Sequence, residues 1–281
     1  GRLADANPMV EFLSTQDEAR ARALVYQIEA YNSKRRFDTR QIEQGAEAQL
    51  SALSSDKYAP AIVLHHPTWP AGVVGIVASR LVERYHKPVI LLTGEETIHG
   101  SARSVPGLNI TQTIAEQADL LNNFGGHPMA AGLSMPPQNL TAFKRRFLSA
   151  VEAQLKGVQV IKEIQVAQIL TLDQVNINFI REIERLAPFG PGNPALLFQL
   201  CDLKLVSSAK IGTNKEHRHV IISDKDEHEL RLLWWNGGDE NLPDAEFDLV
   251  CKLTLSDYKG TEQISAEWID YKLSEAGIQT L

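Results

Sequence analysis

The hydrophobic pattern changes its period near Gly157, and this change most constrains the fold. Before it, short strand patterns alternate with helical patterns, whereas after it apolar residues alternate strictly with other residues over short runs. The clearest such run is Phe247, Leu249, Cys251, Leu253 and Leu255. Strict alternation is typical of strands with one buried face, and mixed strand and helix patterns are typical of α/β layers. We therefore predict an α/β region followed by an all-β region.

The first segment predicts one long helix from Thr15 to about Leu53, because its apolar residues recur at three- and four-residue steps. A basic cluster at 34–36 and Arg40 interrupts the apolar side. It is interpreted as a solvated face bridging two lobes, or alternatively as a basic surface near a nucleic-acid path. A helix of this length without glycine or proline before Gly45 favours a connector between lobes.

The next segment alternates strands and helices. The predicted strands are 61–64, 88–92, 98–103 and 130–134, and the predicted helices are 73–85, 110–121 and 140–155. The last segment predicts one helix at Asp173–Leu186 and a small barrel of about five strands, such as an OB-fold. This gives three regions: 1–56 with the connector helix, 57–156 with α/β structure, and 157–281 with the barrel.

Composition excludes several classes of protein. A hydrophobic fraction of 43% and a charged fraction of 22% are ordinary globular values, so the chain is neither disordered nor fibrous. No apolar run approaches the ~18 residues of a membrane span, and the start at Gly1 has no signal-peptide pattern. Cys201 and Cys251 are interpreted as reduced, buried thiols of a cytoplasmic protein.

Charge is distributed unevenly along the chain. Residues 1–156 contain 16 basic and 15 acidic residues, which gives +1, whereas residues 157–281 contain 12 and 20, which gives −8. The two values agree with the net charge of −7. A uniformly basic nucleic-acid-binding protein is excluded, but a local basic site is not.

Two short segments have the residue types of a phosphate site. Gly125 and Gly126 predict a tight turn with exposed N–H groups, and His127 can donate a hydrogen bond to a phosphate oxygen. Ser101 and Arg103 are two residues apart in a predicted strand, so a hydroxyl and a guanidinium share one face. The alternative interpretation is a structural turn and a solvated arginine.

Metal-binding patterns are weak. His65 and His66 are adjacent, so on a strand they point to opposite faces, and no cluster of Asp, Glu or Cys with ligand spacing accompanies them. The sequence therefore does not predict a complete hydrolytic centre.

Five segments together carry a family resemblance. They are Gly1-Arg2-Leu3, His-His-Pro-Thr-Trp-Pro-Ala-Gly-Val-Val-Gly at 65–75, Gly-Ser-Ala-Arg-Ser at 100–104, Gly-Gly-His at 125–127 and Ala-Pro-Phe-Gly-Pro-Gly-Asn-Pro at 187–194. Over essentially its whole length the chain resembles the RecJ family of the DHH phosphoesterase superfamily. The members are bacterial 5′-to-3′ exonucleases specific for single-stranded DNA.

The resemblance implies a DHH-associated α/β domain after the connector helix, followed by an OB-fold. It implies that the Mg²⁺ or Mn²⁺ ligands lie in an N-terminal lobe whose motifs are missing here, so we expect this chain alone to be inactive. Arg2, Ser101 and Arg103 are expected to hold the 5′-phosphate or backbone, and His127 the scissile phosphate. Ser104, Gly125 and Gly126 complete the predicted phosphate site.

The implied partners are single-stranded DNA, a single-strand-binding protein and a helicase, in DNA repair and recombination. Two alternatives stay open: an autonomous single-strand-binding or partner-docking module, and a related phosphodiesterase acting on short RNA or dinucleotides. Trp234 and Trp268 are predicted to be barrel core. The candidate DNA contacts on the barrel are Lys204, Lys210, Lys215, Arg218, Arg231, Trp235 and Tyr258.

Overall fold

The computed structural model describes residues 2–52, 59–156, 163–190, 192–258 and 260–274, without the side chain of Tyr258. The chain divides into two compact units, Gly1–Lys162 and Glu163–Leu281, each with its own hydrophobic core.

Two helices begin the first unit. Helix α1 spans Asn7–Ser14 and helix α2 spans Glu18–Ala52. The prediction of one helix from Thr15 is wrong at its start, because the Asp17 side chain accepts the backbone N–H groups of the next turn at 2.9 and 3.3 Å and so caps α2 there. The sequence did not reveal α1.

The basic cluster on α2 is partly neutralised within the helix. Lys34 Nζ lies 3.1 Å from Asp38 Oδ2, whereas Arg36 and Arg40 are exposed. This placement is consistent with a solvated face.

A five-stranded sheet forms the centre of the first unit. Its strands are β1 Ile62–His65, β2 Val89–Thr93, β3 Ile98–Arg103, β4 Asn123–His127 and β5 Ala130–Met135. The order is β1-β2-β3-β5-β4, with β1 and β2 parallel and the other pairs antiparallel. The helices of this unit after α2 are α3 Ala71–Tyr85, α4 Ile110–Ala115 and α5 Leu140–Leu155.

Helices cover both faces of the sheet at β2, which is buried at all five positions. On one face Val89 and Leu91 pack in a core that includes residues of α3 and α2. On the other face Ile90 and Leu92 pack with residues of α4 and α5, among them Phe143. A continuous apolar run is the expected sequence of such a doubly covered strand.

Two local predictions in this unit are wrong. Gly125 and Gly126 do not form a tight turn; they lie inside edge strand β4, which pairs with β5 along its whole length. The predicted helix 110–121 ends at Ala115 and is followed by a short 3-10 turn at 118–120.

The second unit is a β-barrel of the predicted type with an added strand. Its elements are β6 Gln168–Leu170, α6 Ile177–Glu184, β7 Leu197–Ile211, β8 His217–Ser223, β9 Glu229–Trp234, β10 Phe247–Tyr258 and β11 Thr261–Leu273. Pairings run β7-β8-β9-β11-β10 and return from β10 to β7, while β6 pairs in parallel with β7. Twelve residue pairs join β10 and β11, but only two join β9 and β11.

The barrel core follows the sequence pattern. Phe247, Leu249 and Cys251 are fully buried, and Trp268, 3% exposed, stacks on Trp234 at 4.6 Å. The predicted core position of Trp268 is therefore confirmed.

The predicted helix at Asp173–Leu186 is broken in two. A 3-10 turn at 172–174 precedes α6, which begins where the Asn176 side chain accepts the N–H of Phe179 at 3.0 Å. Thr171 caps the 3-10 turn and Asn176 caps α6, so one continuous helical pattern is divided into two separately capped segments.

Both cysteines are free, as predicted, but only Cys251 is buried. Cys201 is half-buried, so the prediction of a buried thiol is wrong at that position. Burial raises the pKa of Cys251 to about 12 and also raises that of Cys201, whose thiol lies near Asp248. Within the described residues, no helix is both long enough and apolar enough to cross a membrane.

Candidate phosphate-binding cleft

Strand β3 places Ser101 and Arg103 on the face covered by α3. Arg103 Nη1 donates to Ser101 Oγ at 3.2 Å and to the Ala102 carbonyl at 2.7 Å, and Nε donates to Ser79 Oγ on α3 at 3.1 Å. The structure thus brings together the hydroxyl and guanidinium that the two-residue spacing predicted. It also adds Ser79, which the sequence did not indicate.

Arg103 is half-buried without a carboxylate partner. Burial lowers the pKa of its guanidinium, and the nearby charge of Arg2 lowers that pKa further. Among the described residues neither arginine forms an ion pair. Because arginine stays protonated, the half-buried positive charge of Arg103 lies near the exposed positive charge of Arg2, and an anion between them would stabilise both.

A cleft of about 350 Å³ opens beside these two side chains. The residues that line it are Arg2, Gly75, Ile76, Ser79, Arg80, Glu83 and Arg103. Arg80 also pairs with Glu43 on α2, at 2.8 Å, so its charge is partly neutralised. Glu83 adds one negative charge to the lining, so the net positive charge of the cleft comes from Arg2 and Arg103.

The register of the sheet aligns this cleft with the Gly-Gly-His segment. Arg103 pairs with Ala130, which pairs with His127; in the same way Ser101 pairs with Gly132, which pairs with Gly125. Paired residues place their side chains on the same face. Two strand spacings, roughly 10 Å, therefore separate Arg103 from His127. Apart from Ser101, Arg103 and His127, these two rows carry Ala130, Gly132 and Gly125 on this face, and we call these three small residues the glycine shelf.

The fold does not require the two glycines of the shelf. A Cβ atom at Gly125 would meet nothing within 4 Å, and one at Gly132 would meet only the Gly100 carbonyl at 3.9 Å. Gly126 is different, since its φ is +153° and a Cβ would lie 2.3 Å from the Ala130 carbonyl oxygen. Gly126 is needed by the backbone, whereas Gly125 and Gly132 leave the surface open to a close ligand.

His127 ends strand β4 with an exposed side chain. Its carbonyl accepts the Thr111 hydroxyl of α4 at 2.7 Å, and the following Pro128 carbonyl accepts the N–H of Ile110 at 3.0 Å. In the described structure the imidazole itself has no hydrogen-bond partner. Helix α4 therefore fixes the backbone while the ring stays available to a ligand.

The structure changes the predicted set of phosphate-site residues at Ser104 and at His99. Ser104 does not join it, because it is 4% exposed and its hydroxyl donates to the Leu108 carbonyl at 2.8 Å, where it holds the turn after β3. His99 is exposed on β3 two residues before Ser101, so it shares the open face, and the sequence analysis did not single it out. The strand period alone would have found it.

On the barrel, two of the predicted basic contacts already have acidic partners. Lys204 Nζ lies 3.3 Å from Glu246, and Lys210 Nζ lies 3.0 Å from Asp239. Exposed pairs of this kind contribute little to stability, so either lysine can exchange its partner for a phosphate at small cost.

Arg218 is occupied more completely. Its guanidinium donates to carbonyl oxygens within 237–240 at 2.6–3.1 Å and to Ser208 Oγ at 3.0 Å, so it holds the loop after β9. Lys215 and Arg231 are exposed.

Trp235 is the exposed aromatic of the barrel. Its side chain is 49% exposed, and its ring meets that of His217 edge to face at 4.7 Å. His217 Nδ1 in turn accepts the N–H of Asn236 at 3.0 Å, which orients the imidazole. A half-exposed indole is suited to stacking with a base. The other candidate, the Tyr258 side chain, lies outside the described structure.

Metal ligands are not assembled in the part of the chain that the structure describes. No group of three or more His, Cys, Asp or Glu side chains lies close enough together there to hold a metal ion. The described residues therefore do not fit a divalent-metal centre.

Comparison with protein-family models assigns a class to each unit. The model of the DHHA1 domain matches residues 56–154, and that of the RecJ OB domain matches residues 167–270. The chain is thus of the class that joins a DHHA1 domain to an OB domain.

Whole-chain comparisons narrow this class to one family. Proteins named single-stranded-DNA-specific exonuclease RecJ are 33% identical in Salmonella typhimurium, over 94% of this chain, and 28% identical in Bacillus subtilis, over 98%. The crystal structure of RecJ in complex with Mn²⁺ from Thermus thermophilus matches 98% of this chain and 39% of that one, at 29% identity and a TM-score of 0.77. The chain belongs to the RecJ family, which confirms the resemblance and the fold class. It spans 47% of the Salmonella protein and 35% of the Bacillus protein.

Proposed function

We propose that this chain is the substrate-holding half of a RecJ-like, metal-dependent 5′-to-3′ exonuclease for single-stranded DNA. The observation that carries the proposal is the unpaired, half-buried guanidinium of Arg103, which stands beside Ser101 and Arg2 at one end of the glycine shelf. Charged groups without partners are costly in partly desolvated positions, so their retention favours an anionic ligand.

A phosphate in the cleft would complete the hydrogen bonding of Arg103. Nε and Nη1 are already bound by protein acceptors, whereas Nη2 has no acceptor among the described atoms. An anionic oxygen at Nη2 would gain a charge-assisted hydrogen bond, and Arg2 supplies the second positive charge. This arrangement recognises a phosphate without reading base identity.

The glycine shelf then determines where the next part of the strand lies. Because the shelf lacks side chains, a sugar–phosphate backbone can run against the sheet from Arg103 toward His127. The His127 imidazole can donate to a non-bridging oxygen of the phosphate at that end, so its bond would strengthen as negative charge develops in the transition state.

Mg²⁺ or Mn²⁺ belongs to the proposal only through the family. Metal ions in such enzymes generate the nucleophile and stabilise the leaving oxygen. No group of three or more His, Cys, Asp or Glu side chains is assembled among the described residues, so we propose that this chain positions the substrate, and we expect no cleavage of DNA by the chain alone.

The barrel would supply further contacts to single-stranded DNA. Trp235 supplies a stacking surface, and the exposed basic residues supply weak phosphate contacts against an overall charge of −8 for residues 157–281. The exposed Trp235 also favours the second candidate function, an autonomous single-strand-binding module. A single-strand-binding protein and a helicase as partners, and a role in repair and recombination in the cytoplasm, rest on the family resemblance.

Single-strand binding tests the proposed role of the barrel. We expect modest affinity for oligo(dT), with log K falling against log salt at a slope of about −0.7 for each phosphate contacted. Trp235→Ala should lower affinity roughly fivefold or more and leave the slope unchanged, because stacking releases no counterions. Fluorescence anisotropy over a salt series measures both quantities.

Tyr26→Ala is the matched control, since Tyr26 is an aromatic residue 79% exposed on α2. Equal losses in the two variants, or a complex that does not weaken with salt, would contradict the assignment of Trp235 and of the basic contacts.

Two adjacent glycines, Gly125 of the glycine shelf and Gly126 outside it, should behave in opposite ways when they are substituted. Gly126→Ala should lower the free energy of unfolding by roughly 1–3 kcal/mol, because its Cβ meets a backbone oxygen and the position has positive φ. Gly125→Ala should change stability by no more than about 0.5 kcal/mol yet weaken binding of single-stranded DNA. Chemical denaturation and anisotropy separate the two effects. Unchanged DNA binding by a stable Gly125→Ala variant would mean that the shelf does not contact the strand.

A further inference from the structure

Helix α3 contains an interior glycine whose neighbours are the functional atoms of the cleft. Gly75 is buried within α3 and has no positive φ that would require glycine. Glycine in a helix interior is unfavourable relative to alanine, so its presence calls for a structural reason. The reason is visible in its surroundings: a Cβ at Gly75 would lie 2.7 Å from Ser101 Oγ and 2.9 Å from Arg103 Nη2.

One turn further along the same face, Ser79 holds the same guanidinium. Its Oγ accepts the N–H of Arg103 Nε at 3.1 Å and donates to the Gly75 carbonyl at 3.1 Å. Residues four apart lie above one another on a helix face. Gly75 therefore makes the space for the end of the arginine side chain, and Ser79 fixes the middle of its guanidinium.

We infer that Gly75 and Ser79 are positioning residues that aim Nη2 of Arg103 at the phosphate. This inference rests on the proposed function. Without Ser79, Nε loses its acceptor and the side chain can rotate. With a Cβ at residue 75, the space that Nη2 occupies is filled, and the guanidinium must move because it is the flexible partner of the contact.

If Gly75 positions Arg103, substitution of this glycine should affect phosphate binding and stability differently, which a purely structural role would not predict. The three atoms nearest to a Cβ at residue 75 all belong to the side chains of Ser101 and Arg103, and the guanidinium is the end of a flexible side chain that can move away. Gly75→Ala should therefore keep or raise the melting temperature while it reduces phosphate binding. Stability and binding are expected to change in opposite directions.

The test uses this 281-residue chain. The probe is a 5′-phosphorylated thymidine dinucleotide, because two nucleotides do not offer the barrel a long single strand to bind. Calorimetric titration should show a loss of about tenfold or more in affinity for Gly75→Ala, similar to that of Arg103→Ala, and roughly threefold for Ser79→Ala. Ser79→Thr, which restores the hydroxyl, should recover most of the affinity.

Two control variants match the chemistry of these substitutions. Gly45→Ala changes an interior glycine of α2 whose Cβ would make ordinary contacts with the Trp69 ring at 3.5 Å and beyond. Ser14→Ala removes a hydroxyl that donates to a helical carbonyl, that of Val10 at 2.9 Å, and has no arginine partner. Neither should change dinucleotide binding.

The outcomes separate the inference from the proposal on which it depends. If Arg103→Ala weakens binding but Gly75→Ala and Ser79→Ala do not, the positioning role is wrong and the cleft stands. If Gly75→Ala lowers the melting temperature in proportion to its loss of binding, the role is structural and the inference is overturned. If the unsubstituted chain does not bind the dinucleotide, or Arg103→Ala binds it equally well, the proposed function fails and the inference fails with it.

Discussion

Arg103→Ala is expected to lower kcat/KM for single-stranded DNA roughly tenfold to hundredfold in an active nuclease that contains this chain. The substitution removes a charge-assisted contact to phosphate worth about 1.5–3 kcal/mol. Each ~1.4 kcal/mol corresponds to a factor of ten in kcat/KM. The loss should be the same for DNA of any sequence, because the contact is to phosphate. Steady-state kinetics with two oligonucleotides of different sequence measure it.

The melting temperature should hardly change in this variant. Arg103 has no carboxylate to leave unpaired, and its removal relieves repulsion with Arg2. Arg145→Ala is the control, since Arg145 is an exposed arginine of α5 in the same unit and the change in net charge is equal. A variant that melts early but cleaves normally per folded molecule would show that Arg103 is structural.

His127→Ala is expected to act mainly on kcat. If the imidazole donates to the scissile phosphate, its hydrogen bond gains strength as charge develops in the transition state, and the loss of such a donor lowers kcat by about 10²–10³. KM should change little, because the ground-state contact is weak by comparison. Single-turnover and steady-state rates on the same oligonucleotide separate these two quantities.

His127→Gln provides the comparison that isolates the donor. The amide keeps an N–H near the same position, so it should recover part of kcat, whereas the exposure of residue 127 predicts equal melting temperatures for both variants. A rise in KM with kcat intact would instead place His127 in ground-state binding of the strand, away from the reacting phosphate.

Strands with a strong apolar period were predictable from the sequence. The alternation from Phe247 to Leu255 lies within β10, and the apolar run at 88–92 corresponds closely to β2. In both cases burial decides the local structure, and the local sequence already encodes burial.

Strand β4 was missed for the opposite reason. Asn123 to His127 are all exposed, and two central glycines are typical of turns. This segment is a strand because β5 pairs with it, a contact made by tertiary structure that no local pattern contains. Gly125 becomes part of the glycine shelf only because the register sets it opposite Gly132.

The site itself was predicted in part. Ser101 and Arg103 follow from a two-residue spacing that the sequence displays directly. Gly75 and Ser79 were not predicted, because their importance depends on α3 lying against β3. The partners of barrel lysines were equally hidden, since Asp239 is 29 residues from Lys210.

Only two residue pairs join β9 to β11, whereas five to twelve residue pairs join the other neighbouring strands of the barrel wall. Local opening is least costly where the fewest bonds must break. The barrel therefore has a built-in place at which its circumference can fluctuate, while the long β10–β11 hairpin and the buried Trp268 keep the remainder in register. Single-stranded DNA bound to such a barrel would contact one part of the wall that opens easily, at the junction of β9 and β11, and another part that stays closed, at the β10–β11 hairpin.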